Sequence, residues 1–324
     1  MSSDAEKGSP TLRVNVITEP EAANPPRRKN NPSPPLSSMV LFVIPYPVID
    51  PVAFHIGPFP VRWYALAYAA GLCLGWAYAW ALLRNSRLWG ATPRPDPGSL
   101  SDLVIYLAIA VVVGGRLGQV LFYDPRYYAA HPLEIIEPWK GGMSFHGGLI
   151  GAALATWYFA KKKKVSLLTV ADLCTAAAPI GILLGRIANF IRPELWGRPT
   201  GVPWAMIFPG VDNQPRHPSQ LYEAGLEGLL LFLVLALFVR GGALKRPGIV
   251  TGIFCIGYAA ARITSEFFRE PDPQLEKLSH GLTMGMVLSA PLLLAGVALI
   301  VYVLCCHRTE DEKVRVEAAE APNA

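Results

Sequence analysis

The chain has 324 residues, 52% of them hydrophobic and only 16% charged, with a mean hydropathy of +0.32 and a formal net charge of +5. Soluble domains carry about 25% charged residues, so this composition argues against a water-soluble enzyme and for a membrane-embedded chain. The one dense basic run, Lys161 to Lys164, directly follows an apolar block and suits anionic phospholipid headgroups better than nucleic acid.

Residues 1–38 are rich in Pro, Ser, Asn and charge and contain no apolar run, so they offer neither a signal-peptide core nor material for packing. They read as a disordered leader. Hydrophobic sequence begins at Met39, which leaves two readings open: a genuine extension, or initiation at Met39 with the leader untranslated. From Met39 to Val61 the chain is apolar but broken by five prolines, which cannot sustain the backbone hydrogen bonding a bilayer crossing demands. This stretch is expected at the membrane interface.

Apolar blocks then recur at 63–83, 101–123, 146–160, 167–191, 221–240, 248–268 and 283–306. Most approach the roughly 20 residues a helix needs to cross the hydrocarbon. The fold class expected is therefore all-α, a polytopic membrane protein of about seven transmembrane helices. A transmembrane body spans 39–306 and a cytoplasmic tail 307–324. An odd number of spans puts the termini on opposite sides. Arg84, Arg87 and Arg94, then Lys161 to Lys164, then Arg240, Lys245 and Arg246 fall in alternate loops, which the positive-inside rule assigns to the cytoplasm. The N-terminal side of the first span is then outside, a poor match for a translocated leader carrying Arg27, Arg28 and Lys29. Small residues at Gly71 and Gly75, Gly114 and Gly118, and Gly181 and Gly185 are spaced for close helix packing. The five cysteines lie in or beside apolar blocks without metal-ligand spacing and read as packing residues. No internal repeat relates the halves, which weakens a transporter reading.

Charges inside spans cost about 2.5 to 3.5 kcal/mol each on insertion scales and therefore point to function. GRIANFIRPELWGR places Arg186 and Asn189 on one helical face, with Glu194 following where Pro193 breaks the helix. YAAARITSEFFREPD places Arg262, Glu266 and Arg269 at i, i+4 and i+7, with Tyr258 one turn earlier; an internal Arg262–Glu266 pair is the structural alternative. GGMSFHGGLIG flanks His146 with glycines, and histidine is the side chain best suited to proton transfer near neutral pH. Arg116 is a further intramembrane arginine with Asp124 or Glu137 as possible partners. RHPSQLYEAGLEG sets Arg216, His217 and Gln220 before or at the start of the fifth span and Glu223 and Glu227 inside it, as anchors around the same site. There is no HExxH, phosphate-binding glycine loop or dinucleotide fingerprint, so neither metal nor nucleotide cofactor is expected.

Taken in order, RWYALAY at 62–68, GGMSFHGGLIGA at 141–152, GRIANFIRPELWGRPT at 185–200, RHPSQLYEA at 216–224 and EFFREPD at 266–272 resemble the prolipoprotein diacylglyceryl transferase family. The resemblance runs from about Asp50 to the last span; the leader and the Arg192-Pro193 step depart from the usual pattern. It implies a bacterial cytoplasmic-membrane enzyme that moves the diacylglyceryl group of phosphatidylglycerol onto the lipobox cysteine of a preprolipoprotein, releasing glycerol phosphate. It also implies seven spans, a periplasmic N-terminus, a small periplasmic head and a cytoplasmic C-terminus. Its important positions fall on Tyr64, His146, Arg186, Asn189, Glu194, Gly197, Arg262, Glu266 and Arg269. Chemistry assigns His146 as candidate base for the thiol, Arg186 and Arg262 as a phosphate clamp, and the other six as substrate-binding. The competing versions are a histidine that only binds phosphate, a phospholipid transporter, and a non-catalytic scaffold.

Overall fold

A computed structural model describes residues 44–137, 139, 141–271 and 283–320, with side chains described to residue 306. The leader at 1–38, the loop at 272–282 and the side chains of the tail lie outside the described residues.

The proline-broken stretch becomes strands. β1 (Ile44–Pro45) pairs in parallel with β4 (Met206–Ile207), and β2 (Val52–Ile56) pairs antiparallel with β3 (Phe59–Arg62), leaving Phe54, Ile56 and Phe59 exposed. Seven helical rods follow at the seven predicted positions. They are α1 (Trp63–Arg84), α2 (Leu100–Gly118), α4 (Phe145–Lys163), α5 (Leu167–Ile191), the rod Ser219–Arg240, α8 (Ile249–Glu266) and α9 (Met284–Glu320), with the short α3 (Pro125–Ala130) between α2 and α4. The rod Ser219–Arg240 is α6 (Ser219–Glu223), a π-helical segment Ala224–Leu230, and α7 (Leu231–Arg240).

Five of these are long and apolar enough to cross a membrane: Trp63–Arg84, Pro97–Tyr123, Leu167–Ile191, Ser219–Arg240 and Met284–Cys306. The 22 residues of α1 rise about 33 Å at 1.5 Å each, the thickness of the hydrocarbon. α4 and α8 have 19 and 18 residues; α4 ends in Lys161, Lys162 and Lys163, and α8 carries Arg262 and Glu266. The sixth block ends two residues earlier than predicted, at Glu266, so Arg269 lies beyond its helix.

Hydrogen bonds gather the connections at two ends of the bundle. At one end, Thr92 Oγ1 donates to the Lys245 carbonyl at 3.0 Å and Lys163 Nζ pairs with Asp102 at 3.1 Å. The first joins two of the basic loops, and the second ties the end of α4 to the first turn of α2. Asp172, wholly buried near the start of α5, accepts from Gly248 N at 2.7 Å and from Thr251 N and Oγ1 at 2.7 and 2.6 Å, tying down the first turn of α8. The main core sits here, with Trp89, Phe159, Leu173, Leu235 and Val250 fully enclosed. The other end holds the strands and an antiparallel junction, in which Gly197 bridges Arg269 and Arg216 bridges Pro199 and Met206. Outside these cores the rods present large apolar side chains outward, among them Leu154 and Leu237, as lipid contact requires.

The glycines confirm part of the packing prediction. A Cβ on Gly114 would lie 2.4 Å from the Gly147 carbonyl oxygen, and one on Gly118 2.8 Å from Gly147 Cα, so α2 and α4 meet backbone to backbone. Gly71 likewise approaches Gly181, whereas a Cβ on Gly185 meets nothing within 4 Å. A Cβ on Gly181 also meets nothing within 4 Å, so the close approach of α1 to α5 requires glycine at Gly71 alone, and Gly185, contrary to its spacing, makes no such contact.

Candidate active site

Three rods bring charge into the interior. α5 supplies Arg186, the rod Ser219–Arg240 supplies Glu223 and Glu227, and α8 supplies Arg262 and Glu266. Arg269 reaches in from just past the end of α8. Arg186 Nη1 lies 2.9 Å from Glu223 Oε2 and its Nη2 2.9 Å from Glu227 Oε2, with Nε donating to the same Glu227 oxygen at 3.3 Å. Arg262 Nη1 donates to Glu223 Oε1 at 3.0 Å, and its Nη2 sits 3.1 Å from Glu266 Oε2. Arg269 Nη1 donates to Glu223 Oε1 at 3.2 Å.

The expected Arg262–Glu266 pair is therefore present, but it is one edge of a larger network. Glu223 touches all three arginines. Three guanidinium groups face three carboxylates, so the cluster as it stands is close to neutral. The glutamates are the more enclosed partners, with the Glu223 and Glu227 side chains 0% exposed against 14–17% for the arginines. In low dielectric such pairing is what makes the charges tolerable. The Tyr258 hydroxyl lies within electrostatic reach of Arg186, Arg262, Glu223 and Glu227.

The remaining predicted residues divide by location. Asn189, three residues after Arg186, is buried, and its carbonyl accepts from Glu194 N at 3.2 Å where the chain turns out of α5. Its side-chain amide has no partner among the described residues. Tyr64 lines a cavity of about 190 Å³ with Arg62, Ala188, Ile191 and Arg192, which puts it beside the α5 turn that carries Asn189. Tyr68 donates to the Tyr64 hydroxyl at 3.2 Å and is close enough to Arg186 and Glu194 to feel both charges. Glu194 pairs with Arg192 at 2.8 Å, and its carbonyl accepts from Gln220 Nε2.

Gly197 serves packing. A Cβ there would lie 2.5 Å from the His217 carbonyl oxygen and 2.6 Å from that of Phe268, so only glycine lets the three segments close on one another. The junction holds Arg269 in place, because Arg198 donates through N to the Phe268 carbonyl at 2.8 Å and through Nε to that of Arg269 at 2.9 Å. Arg216 reinforces it with bonds to Asp212 at 2.7 Å, Glu270 at 3.1 Å and the Gly197 carbonyl at 3.0 Å; the guanidinium holds the Asp212 carboxyl below the usual carboxylate range.

His146 stands apart. It is exposed in the first turn of α4, touches Phe145 edge to face, and makes no hydrogen bond or ion pair among the described residues. Among the described residues, no contact joins it to the arginine cluster. Arg116 also has a different partner from either carboxylate the sequence offered. Its guanidinium donates to backbone carbonyls, those of Ile135 at 3.0 Å, Gly142 at 2.9 Å and Glu137 at 3.3 Å, as well as Glu134 and Gly141, and it lies over the Tyr128 ring. Asp124 accepts instead from Gln119 at 2.7 Å.

Glu223 and Glu227 are the residues whose importance the sequence understated. The available signal was their position: with Gln220 they sit at i, i+3 and i+7 of a rod that carries no other charge before Arg240. Among the described residues, no group of three His, Cys, Asp or Glu side chains converges to hold a metal ion.

The fold and this interior define an all-α polytopic membrane protein with a charged centre enclosed by its helices. The sequence model described as prolipoprotein diacylglyceryl transferase matches residues 51–302. Curated relatives named phosphatidylglycerol–prolipoprotein diacylglyceryl transferase include one from Methylocella silvestris, 60% identical over 261 residues, covering 81% of this chain and 96% of its own length. Another from Beijerinckia indica is 57% identical, covering 79% and 94%, and one from Nitrobacter hamburgensis is 56% identical, covering 81% and 90%. The chain belongs to the prolipoprotein diacylglyceryl transferase family.

Proposed function

We infer that this chain transfers the diacylglyceryl group of phosphatidylglycerol to the lipobox cysteine thiol of preprolipoproteins, forming a thioether and releasing glycerol phosphate, the first step of bacterial lipoprotein maturation. The observation that carries the reading is the family match across residues 51–302, the segment that also holds every member of the charged cluster.

The chemistry is displacement at a glyceryl carbon by sulfur, with a phosphate monoester leaving. A cationic site for the phosphate fits Arg186 and Arg262, whose planar, permanently charged groups form paired charge-assisted bonds that strengthen as leaving-group charge develops. Glu266, 3.1 Å from Arg262, holds that guanidinium in its working rotamer. Arg269 adds a third cation to the phosphate end. The free amide of Asn189 and the Tyr64 hydroxyl beside it are suited to orient headgroup oxygens, and Glu194 closes the same turn. A thiol with a pKa of about 8.5 is mostly protonated at neutral pH and needs a base. His146, exposed and without a hydrogen bond among the described residues, is free to take that role when the lipobox peptide approaches along α4.

All seven rods cross the bilayer in this reading, with the N-terminal side of α1 periplasmic, the junction around Gly197 forming a small periplasmic head, and the C-terminus cytoplasmic. The gathering of the basic loops at one end supports that orientation. The body is 39–306, followed by a cytoplasmic tail at 307–324.

The test is mass spectrometry of a lipobox cysteine peptide incubated with phosphatidylglycerol and purified protein, with Arg186→Lys in parallel. The expected result is a diacylglyceryl mass gain with the native protein and about a hundredfold less with Arg186→Lys, since lysine keeps charge but not paired donation. No gain with the native protein overturns the transferase reading and returns attention to lipid transport.

A further inference from the structure

Under the transferase reading, on which this inference rests, the arginines must reach a lipid phosphate, yet their donors are already engaged. Arg186 donates through Nη2 and Nε to Glu227 and has Nη1 in an ion pair 2.9 Å from Glu223 Oε2, and Arg262 has both terminal nitrogens on glutamates. Arg269 is the most open of the three. Only its Nη1 meets a carboxylate, while Nε and Nη2 have no protein partner among the described residues.

The carboxylates are held there by design of the rod. Gly228 lets the segment press on α5 just below Arg186, since a Cβ there would come within 2.7 Å of Leu183 Cα. The π-helical turn Ala224–Leu230 lies at the same level, and such turns recur at functional sites. The bonding is also uneven. Glu227 Oε1 is buried with no hydrogen-bond partner, 3.9 Å from Arg262 Nη1, and Glu223 Oε2 and Glu266 Oε2, though within ion-pair distance of arginines, lack an aligned donor as well.

We propose that Glu223 and Glu227 are resident counter-ions which the lipid phosphate must displace from Arg186 and Arg262, making them positioning residues that set lipid affinity and hold the guanidinium groups aligned when the site is empty. The phosphodiester first meets the open nitrogens of Arg269. It then exchanges with Glu223, the one carboxylate shared by all three arginines. The negative charge of the glutamates, once loosened, opposes the departing phosphate monoester and speeds its exit.

This gives an expectation that a merely structural pair does not share. Glu223→Gln removes the competing charge, so KM for phosphatidylglycerol falls about threefold or more while kcat falls about tenfold through retained product. Glu223→Asp keeps the charge and restores both parameters toward native values. The experiment measures KM and kcat for thioether formation at saturating lipobox peptide, with native mass spectrometry of bound phosphatidylglycerol on the same preparations. A KM that is unchanged or raised in folded Glu223→Gln overturns the proposal. If that variant does not fold, Glu227→Gln carries the same expected fall in KM, and failure of both to fold overturns the proposal in favour of a structural pair. Absence of product with the native protein fails the transferase reading alone, because the lipid-binding comparison between native protein and Glu223→Gln still decides the counter-ion role.

Discussion

Arg116 and Arg186 are both arginines enclosed within the helix bundle, and they are satisfied in opposite ways. Arg116 gives its donors to backbone carbonyls between residues 134 and 142, fixing the chain between α3 and α4. Arg186 gives its donors to two carboxylates on a neighbouring rod. A carbonyl cannot leave its arginine without unravelling backbone. A carboxylate can exchange for another anion with the fold intact. The kind of acceptor, more than the depth of the charge, therefore separates an arginine that builds structure from one available to a substrate.

The largest effect is expected on the carboxylate-bound side. Arg262→Lys should lower thioether formation about a hundredfold, with little change in melting temperature, because lysine can pair with one carboxylate but not bridge Glu223 and Glu266. Comparing initial rates with thermal unfolding in the same detergent checks this; unfolding in step with lost activity would break the distinction.

Arg116→Lys should do the reverse. One ammonium cannot serve carbonyls spread along the 134–142 segment, so the melting temperature should fall by about 5 °C, with turnover per folded molecule nearly preserved. A large kcat loss at unchanged stability would instead put Arg116 in the site.

The smallest effect concerns the Gly197 junction. His217 Nδ1 lies 3.0 Å from the Tyr222 hydroxyl, and burial against Tyr222 and Phe268 lowers its pKa below the usual histidine value. A base whose folded pKa is depressed contributes stability that is present above the unfolded value, about 6.5, and lost as pH falls through the folded one. Melting temperature should therefore decline between pH 7 and pH 5, with a shallower slope in His217→Gln. Equal slopes would remove His217 from the account.

Much of this was legible without coordinates. The apolar blocks gave seven rods at the predicted places, and the Arg262–Glu266 pair could be read because i and i+4 on a helix face the same way. Arg269 illustrates the limit: its spacing suggested a continuous helix, but α8 stops at Glu266 and the Gly197 bridge carries Arg269 back to Glu223. Gly185 fails similarly, since spacing names a face without naming what crosses it.

The sequence by itself determined the membrane class, the family and the local pairs, because hydropathy, motif order and helical periodicity all act within a few residues. Only the tertiary structure decided that Glu223 is the common partner of Arg186, Arg262 and Arg269, that Arg116 binds carbonyls, and that Gly197 has no room for a side chain. Those contacts join segments 18 to 71 residues apart. Periodicity fixes which way a side chain points from its own helix, whereas its partner is set by which rods pack together and at what height.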